Sequence, residues 1–205
     1  MKKADLLNNH RSLDEAITRY RTFLEKIVRA QRVVSTAAEK RDLAESTILR
    51  VCAHWERFVD EHLVDCVNVD HTKLNEYFDL RIPSNPSKDL CQALVIGVGY
   101  TDFRSVGDLK GQSRKLLPEA SNPFLAITRA HSDKIDEAYT IRNYLSHYSA
   151  KSGKNLMRMY DTTYRMARFV EPGRFLLGYN AQRLWAYLEA FEGASTDMKA
   201  TYPRH

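Results

Sequence analysis

No part of the chain stays apolar for the roughly 20 residues that a helix needs to cross a bilayer. The lysines at its start, Lys2 and Lys3, are not followed by the apolar run of a secretory leader. The expectation is a cytoplasmic protein without membrane association. Cysteine is scarce, and Cys52, Cys66 and Cys91 stand singly in apolar, helix-like contexts. An odd number with no C-x-x-C pair argues against a disulfide framework and against a cysteine-based zinc site. His62 precedes Cys66 by four residues, but a buried cysteine beside a surface histidine is the plainer reading. No metal and no cofactor is expected. Internal repeats, low-complexity tracts and convincing strand patterns are also missing; the nearest thing to a strand, Leu94-Val95-Ile96, is short. What is present is 205 residues, 43% hydrophobic and 28% charged. That suits one domain with a real core.

The periodicity is helical. Ser12 and Glu15 have capping-box spacing, and Leu13, Ala16, Ile17, Tyr20, Leu24, Ile27 and Gln31 follow at steps of three and four. A longer helix is predicted from Ser35 or Thr36 to about Asn68. Its stripe is Ile48, Val51, Cys52, Trp55, Phe58, Val59, Leu63 and Cys66. Residues 70–86 end in Pro83-Ser84-Asn85-Pro86, which forbids regular helix there. Ser87 can cap a third helix carrying Leu90, Ala93, Leu94 and Ile96. Gly97, Gly99, Gly107, Gly111, Pro118 and Pro123 predict a loop-rich insertion around 97–127 with short helical turns. Further helices are predicted from Ser132 to about Ser149, from Asn155 to Val170 after Lys151-Ser152-Gly153, and from Asn180 to Phe191. In the first of these Ile135, Ala138, Ile141, Leu145 and Tyr148 face inward. The fold expected is an all-α bundle of four or more helices. A single domain spans 1–205, with its core at about 12–192 and a frayed tail at 193–205.

The formal charge is +5, and it is concentrated. Between Ala150 and Arg183 lie Lys151, Lys154, Arg158, Arg165, Arg168, Arg174 and Arg183, against only Asp161 and Glu171. That excess equals the excess of the whole chain. Such a segment reads either as a polyanion-binding edge or as an Arg-rich solvated helix face. Directly before it stands Arg142-Asn143-Tyr144-Leu145-Ser146-His147, a fixed cation, an amide and a titratable imidazole within about two helical turns. Spacing alone is weak: with 19 arginines and 7 histidines, chance supplies about 0.65 pairs with His five after Arg. Arg57 and His62 form a second such pair, read as surface residues of the second helix. On a helix, residues four apart differ by about 40°, so Asn143 and His147 share a face. Residues five apart differ by about 140°, so Arg142 and His147 do not. They meet if the arginine curls round or if a second copy supplies one of them. The plainer alternative is an asparagine hydrogen-bonded to a histidine on an exposed face.

The six residues Arg142 to His147 match the R-[N/D/H]-x-x-x-H form of the signature of HEPN-family ribonucleases. Ser46 to Asp65, including Trp55-Glu56-Arg57-Phe58, resembles the long second helix of HEPN proteins of the RiboL-PSP type, and Asn122-Pro123-Phe124 adds to the likeness. The similarity covers most of residues 12–190, with only the six-residue motif distinctive. It implies a dimer of helical bundles that cuts RNA without metal, as a toxin or an antiviral defence effector. Members of this family often pair with a nucleotidyltransferase antitoxin, and some pairs modify a Tyr two residues after the motif His. Here that position is Ser149 and the nearest tyrosine is Tyr148, so regulation of that kind does not carry over.

The chemistry fits these residue types independently. Cutting RNA by its own 2′-hydroxyl requires a base for that hydroxyl, a cation for the phosphate and an acid for the leaving oxygen. A histidine serves as base or acid near neutrality, and an arginine holds two phosphate oxygens. His147 is assigned the proton transfer, Arg142 the phosphate charge and Asn143 the orientation of substrate or imidazole. Tyr144 and Tyr148 are candidates for base stacking, with core or interface packing as the alternative. Lys151, Lys154 and Arg158 are candidates for phosphate contacts beyond the cut. Glu45 and His54 read as solvent-facing residues of the second helix. Two other functions remain open: an RNA-binding or sensing module that does not cut, and a structural partner in a hetero-complex.

Overall fold

The computed structural model describes residues 4–29, 36–79, 81–82, 85–97 and 103–202. Every regular element among them is helical, and no strand occurs. None of these helices is long and apolar enough to cross a membrane. Four long helices carry the core: α1 (Ala4–Arg29), α2 (Ala37–Val69), and two later ones, Arg129–His147 and Gln182–Lys199. Between them come α3 (Thr72–Phe78), α4 (Lys88–Gly97) and α5 (Val106–Leu116). Then follow α6 (Arg129–His147), α7 (Ala150–Tyr164), α8 (Pro172–Leu176) and α9 (Gln182–Lys199). α1 lies against α2 and α9, while α6 lies against α2, α7 and α9. α8 closes on α2.

α2 begins where its sequence says. The Thr36 hydroxyl accepts the Glu39 N–H at 3.2 Å, and the Glu39 carboxylate accepts the Thr36 N–H at 2.9 Å. This reciprocal cap satisfies two of the donors that a helix start leaves open. All eight residues of the α2 stripe are buried. Trp55 packs its ring 5.5 Å from Phe58 and 5.6 Å from Phe191 of α9. Burying each such aromatic contributes about 1.5–3 kcal/mol of transfer free energy, so this stripe is the main reason the bundle closes.

Several expectations are corrected. α1 starts at Ala4, so Ser12 is an exposed interior residue and not a cap. The apolar spacing simply continues backward through the buried Leu6 and His10. Gln31 and the side chain of Ile27 lie outside the described residues. Within 70–86 the chain does form one short helix, α3, ahead of the prolines; Pro83 and Ser84 lie outside the described residues. Ser87 does accept the Leu90 N–H at 3.2 Å. The buried face of α4, however, is Cys91 and Val95, with Leu90 and Ile96 exposed and Leu94 half-buried. α5 runs through Gly107 and Gly111, because Leu109, Ser113 and Leu116 are buried. That packing outweighs the roughly 1 kcal/mol each glycine costs a helix. The insertion is therefore half helical. Two short 3₁₀ turns follow α5, Glu119–Ser121 and Pro123–Ala126, the second capped by Asn122.

α7 starts at Ala150 and not at Asn155, because Ser149 caps it reciprocally with Ser152. It ends at Tyr164 rather than Val170, with Arg165 in the left-handed region at φ 55°. α9 extends to Lys199, so the tail from Gly193 is not frayed up to that point. Ala194, Ser195 and Met198 are buried, and a Cβ at Gly193 would stand 2.3 Å from the His131 ring. Tyr148 is no core residue. It closes α6 with φ 43° and is 66% exposed.

Candidate functional site

α6 is positioned at its start and in its middle. Its start is fixed by Asp197 of α9, which accepts the Thr128 N–H at 2.9 Å and lies 2.6 Å from His131 Nδ1. In its middle the buried Glu137 accepts hydrogen bonds from Lys134, from Tyr164 of α7 at 2.5 Å and from Tyr187 of α9 at 3.0 Å. One carboxylate thus locks three helices together. Its charge is matched by the Lys134 ammonium at 2.9 Å.

Helix α6 remains regular through His147, so the offset of about 140° between Arg142 and His147 holds in three dimensions. Arg142 is half-buried and turns toward α2. Its Nη2 lies 3.1 and 3.2 Å from the two Glu56 oxygens, and its Nη1 donates to Asn143 Oδ1 at 3.0 Å. Asn143 therefore spends its carbonyl on Arg142 and keeps its amide N–H groups. His147 is exposed in the last turn and, among the described residues, forms no hydrogen bond or ion pair. The motif is thus split within one chain. Arg142 turns to Glu56 and Asn143, while His147, which shares the Asn143 face but is turned about 140° from Arg142, is exposed on the outer surface.

Around His147 the surface is aromatic and basic. The Tyr144 ring lies 5.3 Å from Tyr148 and 5.5 Å from Phe169, which is 42% exposed. Phe169 was not legible as a site residue, since it sits between α7 and α8 and joins the tyrosines only in the folded chain. Lys151, Lys154 and Arg158 are exposed on α7 and fall within about 60° of one another around its axis. Arg165, Arg168 and Arg174 are exposed as well, and Arg183 is differently employed. The Arg183 guanidinium lies 4.3 Å from the Phe175 ring and 5.0 Å from that of Tyr179, and donates to the Phe175 carbonyl at 3.0 Å.

Other sequence candidates resolve by burial. His62 is not a surface residue: it is 0% exposed, stacked on Phe58 at 5.2 Å and bonded to the Tyr202 hydroxyl. Arg57 is exposed and paired with Glu61 at 2.8 Å. Glu45 does not simply face solvent. It accepts the Gly173 N–H at 2.7 Å, tying the start of α8 to α2, and burial raises its pKa. Burial also pushes the Cys52 and Cys66 thiols up, which keeps them protonated and unreactive. Among the described residues no group of three His, Cys, Asp or Glu side chains is arranged to hold a metal. No family model, characterised protein or solved structure matches this chain.

Proposed function

We propose that the chain is a metal-independent endoribonuclease whose site lies at the end of α6 and the start of α7. The observation that carries this reading is His147. It is exposed, free of a hydrogen-bond partner among the described residues, and stands in the chain between Tyr144 and Tyr148, whose rings pair, four residues before the exposed Lys151. In the reaction the 2′-oxygen attacks the adjacent phosphorus and the bond from phosphorus to the 5′-oxygen breaks. A 2′,3′-cyclic phosphate and a 5′-hydroxyl remain. His147 takes the 2′-hydroxyl proton as base, and the leaving oxygen takes a proton from water, which the imidazolium then restores. Arg142 and the Asn143 amide stabilise the charge on phosphate. Lys151, Lys154 and Arg158 hold flanking phosphates, and Tyr144, Tyr148 and Phe169 stack on an unpaired base. Such an enzyme acts as a toxin or defence effector and needs a restraining partner, an antitoxin or defence-complex chain.

The test is incubation of pure protein with total RNA and a chelator, wild type against His147→Ala. The expected result is chelator-resistant cutting that the variant loses, with an unchanged melting curve because the side chain is exposed. Undiminished cleavage by the variant sinks the assignment. A second reading, an RNA-binding module that does not cut, is favoured by the Arg142–Glu56 ion pair, which occupies the cation that catalysis requires. Salt-dependent RNA binding by both proteins without cutting by either selects it.

A further inference from the structure

α1 and α2 lie side by side, and along their seam the surface opens into a cleft of about 580 Å³. Arg19, Tyr20 and Phe23 line it from α1, and Ser46, Arg50 and His54 from α2. Ser46, Arg50 and His54 are spaced by four, so each is turned only about 40° from the last and all three share one face of α2. No carboxylate is among the lining residues. Arg19 and Arg50 are exposed, and among the described residues neither forms an ion pair. The neighbouring Arg57, by contrast, is neutralised by Glu61.

His54 reports the resulting field. Burial first, then the charges of Arg19, Arg57 and Arg50, hold its pKa below the ordinary imidazole value. No carboxylate opposes them there. The opposite wall is aromatic: the Tyr20 ring lies 5.8 Å from His54, and Phe23 is 46% exposed. Two unneutralised guanidiniums, a hydroxyl, a neutral imidazole and an exposed ring thus converge on one opening. Its size falls in the range of cofactor and nucleotide sites and is larger than one phosphate needs.

The cleft is separate from the Arg142 site. Glu56, which pairs with Arg142, lies about 200° around α2 from His54 and about 240° from Arg50. It therefore faces the other side of the helix.

We propose that the α1–α2 cleft binds a nucleotide through its phosphates, with Arg19 and Arg50 on the phosphate oxygens and Phe23 against the base. The Ser46 hydroxyl donates to the same oxygens, and neutral His54 is left to hydrogen-bond the sugar or a bridging oxygen. This site stands whether or not the α6–α7 face cuts RNA.

Adenosine triphosphate, inorganic triphosphate and adenosine are titrated into the full chain by calorimetry. The first two are expected to bind, adenosine weakly at most. Arg19→Ala with Arg50→Ala should weaken both phosphate probes by about tenfold or more, the loss expected when charge-assisted bonds are removed. Arg114→Ala with Lys115→Ala removes the same charge from exposed positions on α5 and should change nothing. Phe23→Ala should weaken adenosine triphosphate and spare inorganic triphosphate. Competition by a 5′-triphosphate RNA, but not by its 5′-hydroxyl form, would place the nucleotide at an RNA end; failure to compete would make it a free nucleotide. Absence of binding by adenosine triphosphate overturns the proposal, as does binding that the Arg19/Arg50 variant leaves intact.

Discussion

At the scale of single residues, the decisive contact is Glu56 with Arg142. A phosphate can recruit this guanidinium only by displacing the carboxylate or sharing it. The pair is about one-third exposed on each side, so its net worth to stability is about 0–1 kcal/mol. Glu56→Gln keeps a hydrogen-bond acceptor and removes the competing charge. It should leave the melting temperature nearly unchanged, raise RNA affinity several-fold and steepen the salt dependence by about one phosphate contact. Fluorescence anisotropy across a salt series checks this, and an unaltered slope would mean that Arg142 is no phosphate ligand. The residues of the motif were legible in the sequence, as was the angle that parts Arg142 from His147. Glu56 was not legible as their partner, because it lies 86 positions away and meets Arg142 only through the packing of α6 on α2. Tyr148 misled because apolar spacing holds only while the helix lasts. Its left-handed backbone turns the ring out of the stripe.

At the scale of elements, small residues were overrated as breaks and paired caps underrated. Gly107, Gly111 and Gly153 lie inside helices, while Ser149 with Ser152 starts one. α8 shows where glycine does matter. A Cβ on Gly173 would lie 2.7 Å from Arg41 Cβ and 2.8 Å from the Arg41 carbonyl oxygen, so backbone would have to move. Gly173→Ala should cost about 1–3 kcal/mol and lower the melting temperature, since overpacking is relieved only by shifting α8 from α2. A wild-type melt would show that α8 contributes little there. The same scale sets acid sensitivity. His10 of α1 and His62 of α2 are both buried, and the Tyr202 hydroxyl after α9 bonds His62 and lies 3.5 Å from His10. Burial, then Lys199, pushes His10 down to about 4, with Asp14 opposing; burial, then His10, pushes His62 down as well. Both imidazoles stay neutral in the fold while the unfolded chain takes up protons below about pH 6.5. Their stabilisation is complete above that value and is lost as pH falls toward about 4, roughly 3 kcal/mol for His10. Asp60 acts oppositely. Burial, then Glu56 and Glu61, raises it to about 6, so its protonation in the fold favours the folded state as pH falls. Burial raises Glu45 and Asp136 in the same sense as Asp60, but these three carboxylates are only partly buried while His10 and His62 are almost wholly so, and the melting temperature should drop between neutrality and about pH 5. A His62→Phe chain should show a shallower drop, and an equally steep one would assign the effect elsewhere.

At the scale of the molecule, the question is how many chains make one site. α6 keeps its geometry through the motif, Arg142 points at α2, and His147 points outward. Nothing within a single chain bends the helix to reunite them. A site that uses both must take one from each copy, which an isologous pair of copies does twice. This gives a test that needs no structure of the assembly. His147→Ala and Arg142→Ala chains should each be inactive alone. When mixed and allowed to exchange, half of the pairs are mixed ones. Each mixed pair holds one site with an intact Arg142 from the first chain and an intact His147 from the second. The other site in that pair lacks both. Activity should recover to about a quarter of the wild-type value, since half the pairs carry one of two possible sites. If the two residues must come from the same chain, or if each site needs two His147 side chains, mixing restores nothing. Recovery that grows with protein concentration would tie cutting to the encounter of two copies, and the absence of any recovery would overturn the Arg142-with-His147 composite.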